Sequence, residues 1–204
     1  MKLHWSPRSP YVRKVMVIAH ETGTVSRLQL VRTVVAMTDV NPAIQGDNPL
    51  GKIPTLVLDD GRSIFDSLVI CLYLESIATD SNVLPVGGDA RWDALVRHAL
   101  GQGLTDALIL WRNEKNRAAE KQLAPLLSSL ETKVTNCLDQ LEADAARFGA
   151  LPFDIGHAAI GSALGYMDFR FGDFGWREGR PALTAWQASF DARPSAQATA
   201  VADG

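Results

Sequence analysis

The hydrophobic pattern of this chain changes character once, and that change confines it to a two-part fold. Before about residue 79, short apolar runs at Leu3 to Trp5, Leu28 to Val31 and Leu56 to Leu58 alternate with stretches of helical period. Such alternation calls for a mixed sheet covered by helices. Residues 80–89, from Asp80-Ser81-Asn82 to Gly87-Gly88-Asp89, are dense in turn formers and read as a linker. Beyond them the pattern is helical almost without a break. Trp92, Leu95, Val96, Ala99 and Leu100 lead on to Leu104, Ala107, Leu108 and Trp111, while Leu123, Leu126, Leu127, Leu130, Val134, Cys137 and Leu141 mark a second long helix. A bundle follows. The closing stretch 195–204 is small-residue rich without an apolar face, and a frayed tail is expected there.

Several function classes fall away on composition. With 204 residues, 47% of them hydrophobic, the chain fills one large core or two small ones. Its longest apolar run, around Leu68 to Leu74, is far short of the roughly 20 residues a bilayer requires. The start, with His4, Arg8 and Arg13, has no signal-peptide core, so a cytoplasmic protein without a membrane partner is expected. Cys71 and Cys137 sit at apolar helical positions and read as buried thiols in a reducing compartment. A net charge of -3 with scattered bases leaves no footprint for nucleic acid. His4, His20, His98 and His157 show neither HxH nor HExxH spacing, and no metal is expected. Gly101-Gln102-Gly103 falls inside a helical pattern rather than after a strand, and neither GxxxxGK nor GxSxG occurs.

Three ordered blocks carry the chemistry. Ser9-Pro10-Tyr11 precedes Val12, Val15, Met16 and Ala19 at helical spacing, so Pro10 takes the first helical position and Ser9 the N-cap. A hydroxyl there joins the positive helix end and its unpaired N–H groups, where it either caps the helix or holds an anion. Asn48-Pro49-Leu50-Gly51-Lys52-Ile53-Pro54 is a rigid turn entering a strand. Asp59-Asp60-Gly61 makes a hairpin, Ser63-Ile64-Phe65 the return strand, and Asp66-Ser67 opens a helix through Ile70, Tyr73, Leu74 and Ile77.

Together with Met1-Lys2-Leu3, Pro181-Ala182-Leu183-Thr184-Ala185-Trp186 and Arg193-Pro194-Ser195, these blocks resemble the glutathione S-transferase superfamily over nearly the whole chain. The serine in the first block is similar to tau-type and related bacterial members, whereas omega-type relatives carry cysteine there. The resemblance implies an α/β thioredoxin-like glutathione-binding domain over 1–79, the linker 80–89, and an all-α helical domain over 90–204 with the second-substrate pocket. It also implies a homodimer.

The same resemblance assigns roles. Ser9 is the thiolate-stabilising catalytic residue, with Ser6, at a strand end before Pro7, as the competing hydroxyl. Ile53, before a cis Pro54, offers its backbone to the cysteinyl part of glutathione; Ser67 takes the γ-glutamyl carboxylate, Asp66 the ammonium group, and Lys52 the glycyl carboxylate or the peptide. Asp106 matches the region where many relatives lend an acid to the partner subunit's site. Arg8, Leu108, Trp111 and Tyr166, with Trp5, are candidates for the second-substrate pocket. Lowering a thiol pKa of about 8.5 by two units needs roughly 2.7 kcal/mol. A hydrogen bond to the charged sulfur supplies about 1.5–3 kcal/mol and the helix end about 0.3–1 kcal/mol, enough without deprotonating Ser9. The expected activity is attack of the glutathione thiolate on a small electrophile, peroxide or disulfide. The alternative is a non-catalytic interaction protein on the same fold, bound to transcription or translation machinery.

Gly156, Gly161 and Gly165 in the helix after Asp154 are expected to serve close packing, since each costs about 1 kcal/mol relative to alanine. Members of the family usually place Ser or Thr three residues before this Asp. Leu151 stands there here, leaving Asp154 or water to satisfy the first N–H groups.

Overall fold

The computed structural model describes residues 1–81 and 83–203; Asn82, inside the expected linker, and Gly204, at the end of the expected tail, lie outside the described residues. The chain divides into two compact units, one of Met1–Trp92 with Pro194–Gly204 and the other of Asp93–Arg193.

The first unit is built on a sheet of β1 (Lys2–Trp5), β2 (Gln29–Arg32), β3 (Thr55–Val57) and β4 (Ser63–Ile64), in the order β2-β1-β3-β4. β1 pairs with β2 in parallel, Leu3 opposite Leu30, and with β3 antiparallel, Leu3 opposite Leu56. The parallel pair needs a crossover, and α1 (Pro10–Glu21) supplies it. It buries Val12, Val15, Met16, Val17 and Ile18, and it ends where the Thr22 hydroxyl donates to the Ile18 carbonyl at 2.8 Å. A short α2 (Pro42–Gln45) precedes β3. The β3–β4 hairpin turns at Gly61, whose φ of 84° admits glycine readily, and α3 (Ser67–Ser76) packs beside α1. This βαβ–ββα arrangement is thioredoxin-like.

The end of the chain overturns one expectation. Instead of fraying, Pro194–Gln197 forms a short helix packed on α1, with Ser195 and Ala196 buried and the Ser195 hydroxyl donating to the Glu21 carboxylate. Small residues without a periodic apolar face still bury well when a single hydroxyl finds a distant carboxylate, and no local pattern reports that pairing.

The second unit is helical: α4 (Gly88–Lys115, from Asp93 on), α5 (Ala124–Gly149), α6 (Ile155–Arg170) and α7 (Pro181–Asp191), which leaves the tail helix as α8. α6 is buried along most of its length and forms the middle of the unit. Its glycines do permit close packing: a Cβ on Gly156 would sit 2.5 Å from the Arg97 Cβ, and one on Gly161 the same distance from the Phe190 ring. Gly165 is half-buried. Gly101 on α4 proves equally tight, with a Cβ there falling 2.6 Å from the Ile160 backbone nitrogen.

The start of α6 shows how the missing hydroxyl at Leu151 is replaced. Asp154 caps the helix, accepting from the N–H groups of Gly156 at 2.8 Å and His157 at 3.1 Å, while the His157 ring closes a capping box by accepting from the Asp154 N–H at 3.1 Å. The His157 Nε2 donates to the Phe148 carbonyl, and Arg97 pairs with the second Asp154 oxygen. Burial pushes the Asp154 carboxyl up, but the bonds from His157 and Arg97 outweigh it and hold the group below its ordinary range.

Candidate active site

Strand register gathers the predicted glutathione residues of the first unit at one end of its sheet. His4, near the exit of β1, pairs with Thr55 at the entrance of β3, and β4 runs back so that Ile64 lies opposite Leu56. The turn Ser6 to Ser9, the Ile53–Pro54 corner and the Asp66-Ser67 step therefore share that end. Both α1 and α3 begin there, so two positive helix ends converge with their unpaired N–H groups.

Each group retains a function its neighbours leave open. Ser9 caps α1 with extended backbone, its Oγ accepting the Val12 N–H at 3.3 Å. That bond uses a lone pair and not the hydroxyl proton, so capping and donation to an anion are compatible. Asp66 caps α3 through Oδ1, which accepts from Leu68 at 3.1 Å and Val69 at 3.5 Å, with Oδ2 outside that cap. Ser67 is buried at 2% exposure, and among the described residues its hydroxyl bonds no protein group. The Ile53–Pro54 bond is cis, as expected, and among the described residues no backbone–backbone hydrogen bond engages the Ile53 N–H or C=O. Lys52 is exposed beside them.

Two supporting networks escaped the sequence reading. Asn48, 1% exposed, donates to the Lys52 carbonyl at 3.2 Å and to the Thr55 hydroxyl at 2.9 Å; its Oδ1 accepts the Leu50 N–H, and Thr55 in turn donates to the Lys52 carbonyl. These bonds shape the corner that presents Ile53. Behind them, buried His4 bridges Thr33 at 2.8 Å and Asp47 at 2.7 Å, and Lys2 donates to the same Asp47 oxygen. Hydrogen bonds from Lys2 and His4 lower the Asp47 pKa. Asn48 stood inside a quoted motif, but its side-chain partners are set by the fold of the turn.

The remaining candidates are scattered. Ser6 is buried, its hydroxyl approached by the Arg8 N–H at 3.4 Å and an Arg32 guanidinium nitrogen at 3.5 Å. Arg8 is exposed and pairs with Asp203 at 3.4 Å, and Trp5 is half-buried beneath Arg32. In the second unit, Leu108, Trp111 and Tyr166 belong to the core cluster, none more than 5% exposed. Trp111 stacks on Phe171 at 4.9 Å; burial raises the Tyr166 phenol pKa although Arg112 and Arg170 hydrogen-bond it. Asp106 is exposed on α4 and accepts from Gln102. Burial pushes the Cys71 thiol up to about 12 and the Cys137 thiol to about 11, so neither is a nucleophile near neutral pH. Among the described residues no cluster of three or more His, Cys, Asp or Glu could hold a metal, and no helix is long and apolar enough to cross a membrane.

A thioredoxin-like sheet with capped helices at a cis-proline corner, joined in one chain to a helical unit, defines a class that known proteins share. Residues 8–77 match the family model of the glutathione S-transferase N-terminal domain, and residues 112–187 that of the C-terminal domain. An uncharacterized GST-like protein of Escherichia coli K12, YibF, is 33% identical over 90% of both chains. A glutathione transferase family member from Pseudomonas fluorescens Pf-5, crystallised with bound glutathione, superposes with a TM-score of 0.96 at 41% identity, covering 99% of each chain. A second structure from that organism, with bound S-(propanoic acid)-glutathione, gives a TM-score of 0.92 at 40% identity over the full length of both chains. The chain belongs to the glutathione S-transferase superfamily.

Proposed function

We propose that the protein is a serine-type glutathione transferase. It binds glutathione across the shared end of the first unit and holds the sulfur as a thiolate for attack on a small electrophile. The observation that carries this is the convergence of two helix N-termini, an unsatisfied Ile53 backbone pair and two hydroxyls at one end of one sheet. The tripeptide adds to the Ile53 N–H and C=O like a short strand. Its γ-glutamyl carboxylate meets the Ser67 hydroxyl and the start of α3, its ammonium the Asp66 carboxylate, and its glycyl carboxylate Lys52. Ser9 donates its proton to the sulfur while still capping α1. The glutathione and S-substituted glutathione held in the two structures of the Pseudomonas fluorescens relative support both a thiol ligand and a conjugate product.

The rest of the reading follows the family. The helical unit contributes the second-substrate pocket from the region of Leu108, Trp111 and Tyr166. The protein works in the cytoplasm, where Cys71 and Cys137 stay reduced. It is a homodimer, supported by an uncovered stripe along α4. Val96 and Leu110, at 67% and 50% exposure, recur with exposed Ala99, Gly103 and Asp106 at alternating spacings of three and four. Such a seam suits a second copy of the same helix, and it would carry Asp106 toward the partner.

Calorimetric titration with glutathione, followed by turnover of a chloronitroaromatic electrophile, tests the reading. Micromolar to millimolar binding with turnover is expected. Binding without turnover would favour the non-catalytic interaction protein, and no binding would defeat both the site and its chemistry.

A further inference from the structure

His4 has no part in the glutathione contacts above, yet the first unit encloses it and bonds both of its ring nitrogens. It stands in β1 opposite Thr55, the residue that follows the cis Pro54. At 2% exposure the ring lies in the interior, where a polar group is stable only when its hydrogen bonds are made. Nδ1 lies 2.8 Å from the hydroxyl of Thr33, just past β2, which fixes the orientation of the ring. Nε2 is thereby aimed at Asp47 and donates to its Oδ2 at 2.7 Å.

Asp47 opens the segment that carries the proline corner. Its N–H and that of Asn48 both donate to the Ile44 carbonyl of α2, at 3.0 and 2.8 Å, and the Asn48 side chain then braces Lys52 and Thr55 on either side of Ile53 and Pro54. Residues 46–54 precede the β1–β3 pairing, whose register begins at His4 and Thr55. Among the described residues, the side-chain hydrogen bonds that tie this segment to β1 are the two that Asp47 accepts, from Lys2 at 2.6 Å and from His4. The two anchors differ in strength. The Lys2 side chain is 37% exposed and water screens its pull, whereas the His4 bond comes from a buried ring in surroundings that strengthen it. His4 is the firmer hold on Asp47.

We propose that His4 is a positioning residue for glutathione: through Asp47 it holds the turn that presents the Ile53 N–H and C=O, and it sets affinity without touching the ligand. The inference rests on the reading of that corner as the glutathione site. A backbone pair recognises a peptide only at hydrogen-bond distance and direction, so a turn released from β1 must be ordered again on binding, at a cost in affinity. Ser9 and the start of α1 lie outside the segment. The reactivity of the bound sulfur is therefore left unchanged.

Calorimetry on the full chain with S-methylglutathione, which carries no thiol, separates affinity from thiolate chemistry. His4→Leu should raise its dissociation constant about tenfold, the low end for a hydrogen bond to a charged group. Turnover of a chloronitroaromatic electrophile should show the same rise in KM for glutathione, with kcat within about twofold of wild type. His4→Gln, which keeps an N–H donor for Asp47, should stay within about threefold of wild-type affinity. Asp47→Ala should weaken binding at least as much as His4→Leu, and the double variant no further than Asp47→Ala alone, since both changes cut one link. Asp47 stands at a partly exposed position, so this variant carries the test if His4→Leu does not fold. Unchanged affinity in His4→Leu or Asp47→Ala, a His4→Gln as weak as His4→Leu, a kcat that falls with affinity, or losses that multiply in the double variant would each overturn the assignment. A wild type that binds no S-methylglutathione would defeat the glutathione reading itself and take this inference with it. A wild type that binds, beside an unaffected His4→Leu, defeats this inference alone.

Discussion

The N-terminus of α6 and the N-termini of α1 and α3 begin from the same local device, a short polar side chain capping a helix, and end in opposite uses. At α6 both carboxylate oxygens of Asp154 are engaged. The carboxylate is 4% exposed, accepts two backbone N–H groups, meets His157 and pairs with buried Arg97. At α1 and α3 the caps are left open: Ser9 accepts one N–H and keeps its proton, Asp66 caps through one oxygen, and the Ser67 hydroxyl bonds nothing among the described residues. The closed cap contributes stability, and in the proposed function the open caps give an anion its place. What fills the remaining hydrogen-bonding capacity separates them.

The comparison breaks most sharply at the closed cap. Asp154→Ala should destabilise the protein by about 3–5 kcal/mol, because it strands the buried Arg97 charge as well as the helix N–H groups. Urea unfolding followed by circular dichroism measures this. The acid limb gives a second check. The folded pKa of Asp154 lies below its ordinary value of 3.8, so its stabilisation is complete above that pH and fades as the pH falls through the lower folded value. The stability gap between wild type and Asp154→Asn should therefore narrow below pH 3.8 and hold constant above it.

The open caps should behave in the reverse way. Ser67→Ala should weaken glutathione binding by about 1.5–3 kcal/mol, the range for a hydrogen bond to a charged group, with helical content unchanged. Identical dissociation constants in a calorimetric titration would reduce Ser67 to a buried spacer. Ser9→Ala should cost only about 1 kcal/mol of folding stability, the ordinary loss of an N-cap, measured by the same urea titration. A loss as large as that of Asp154→Ala would place Ser9 among the closed caps.

These contrasts also mark what the sequence could disclose. Ser9 with Pro10, Asp66 with Ser67 and the cis Ile53–Pro54 corner are local signals, because a cap or a turn is fixed by neighbours in the chain. The His157 ring closing the α6 cap, Asn48 bracing Lys52 through Thr55, and Ser195 reaching Glu21 were silent, since each depends on a partner that only the fold supplies. Gly101 was read only as a helical glycine, because no pattern on α4 announces the backbone of α6 that it faces. Leu108, Trp111 and Tyr166 show the other limit. A helical period marks them as inward-facing, and the folded unit buries them in its core.

The most direct measurement is the ultraviolet titration of the bound glutathione thiolate in wild type and Ser9→Ala. Loss of a bond worth about 1.5–3 kcal/mol should raise the bound thiol pKa by about one to two units and lower turnover near neutral pH more than it weakens glutathione binding. The same thiolate pKa in both proteins would contradict the assignment and pass the role to Ser6, Tyr11 or the backbone N–H groups of α1 alone.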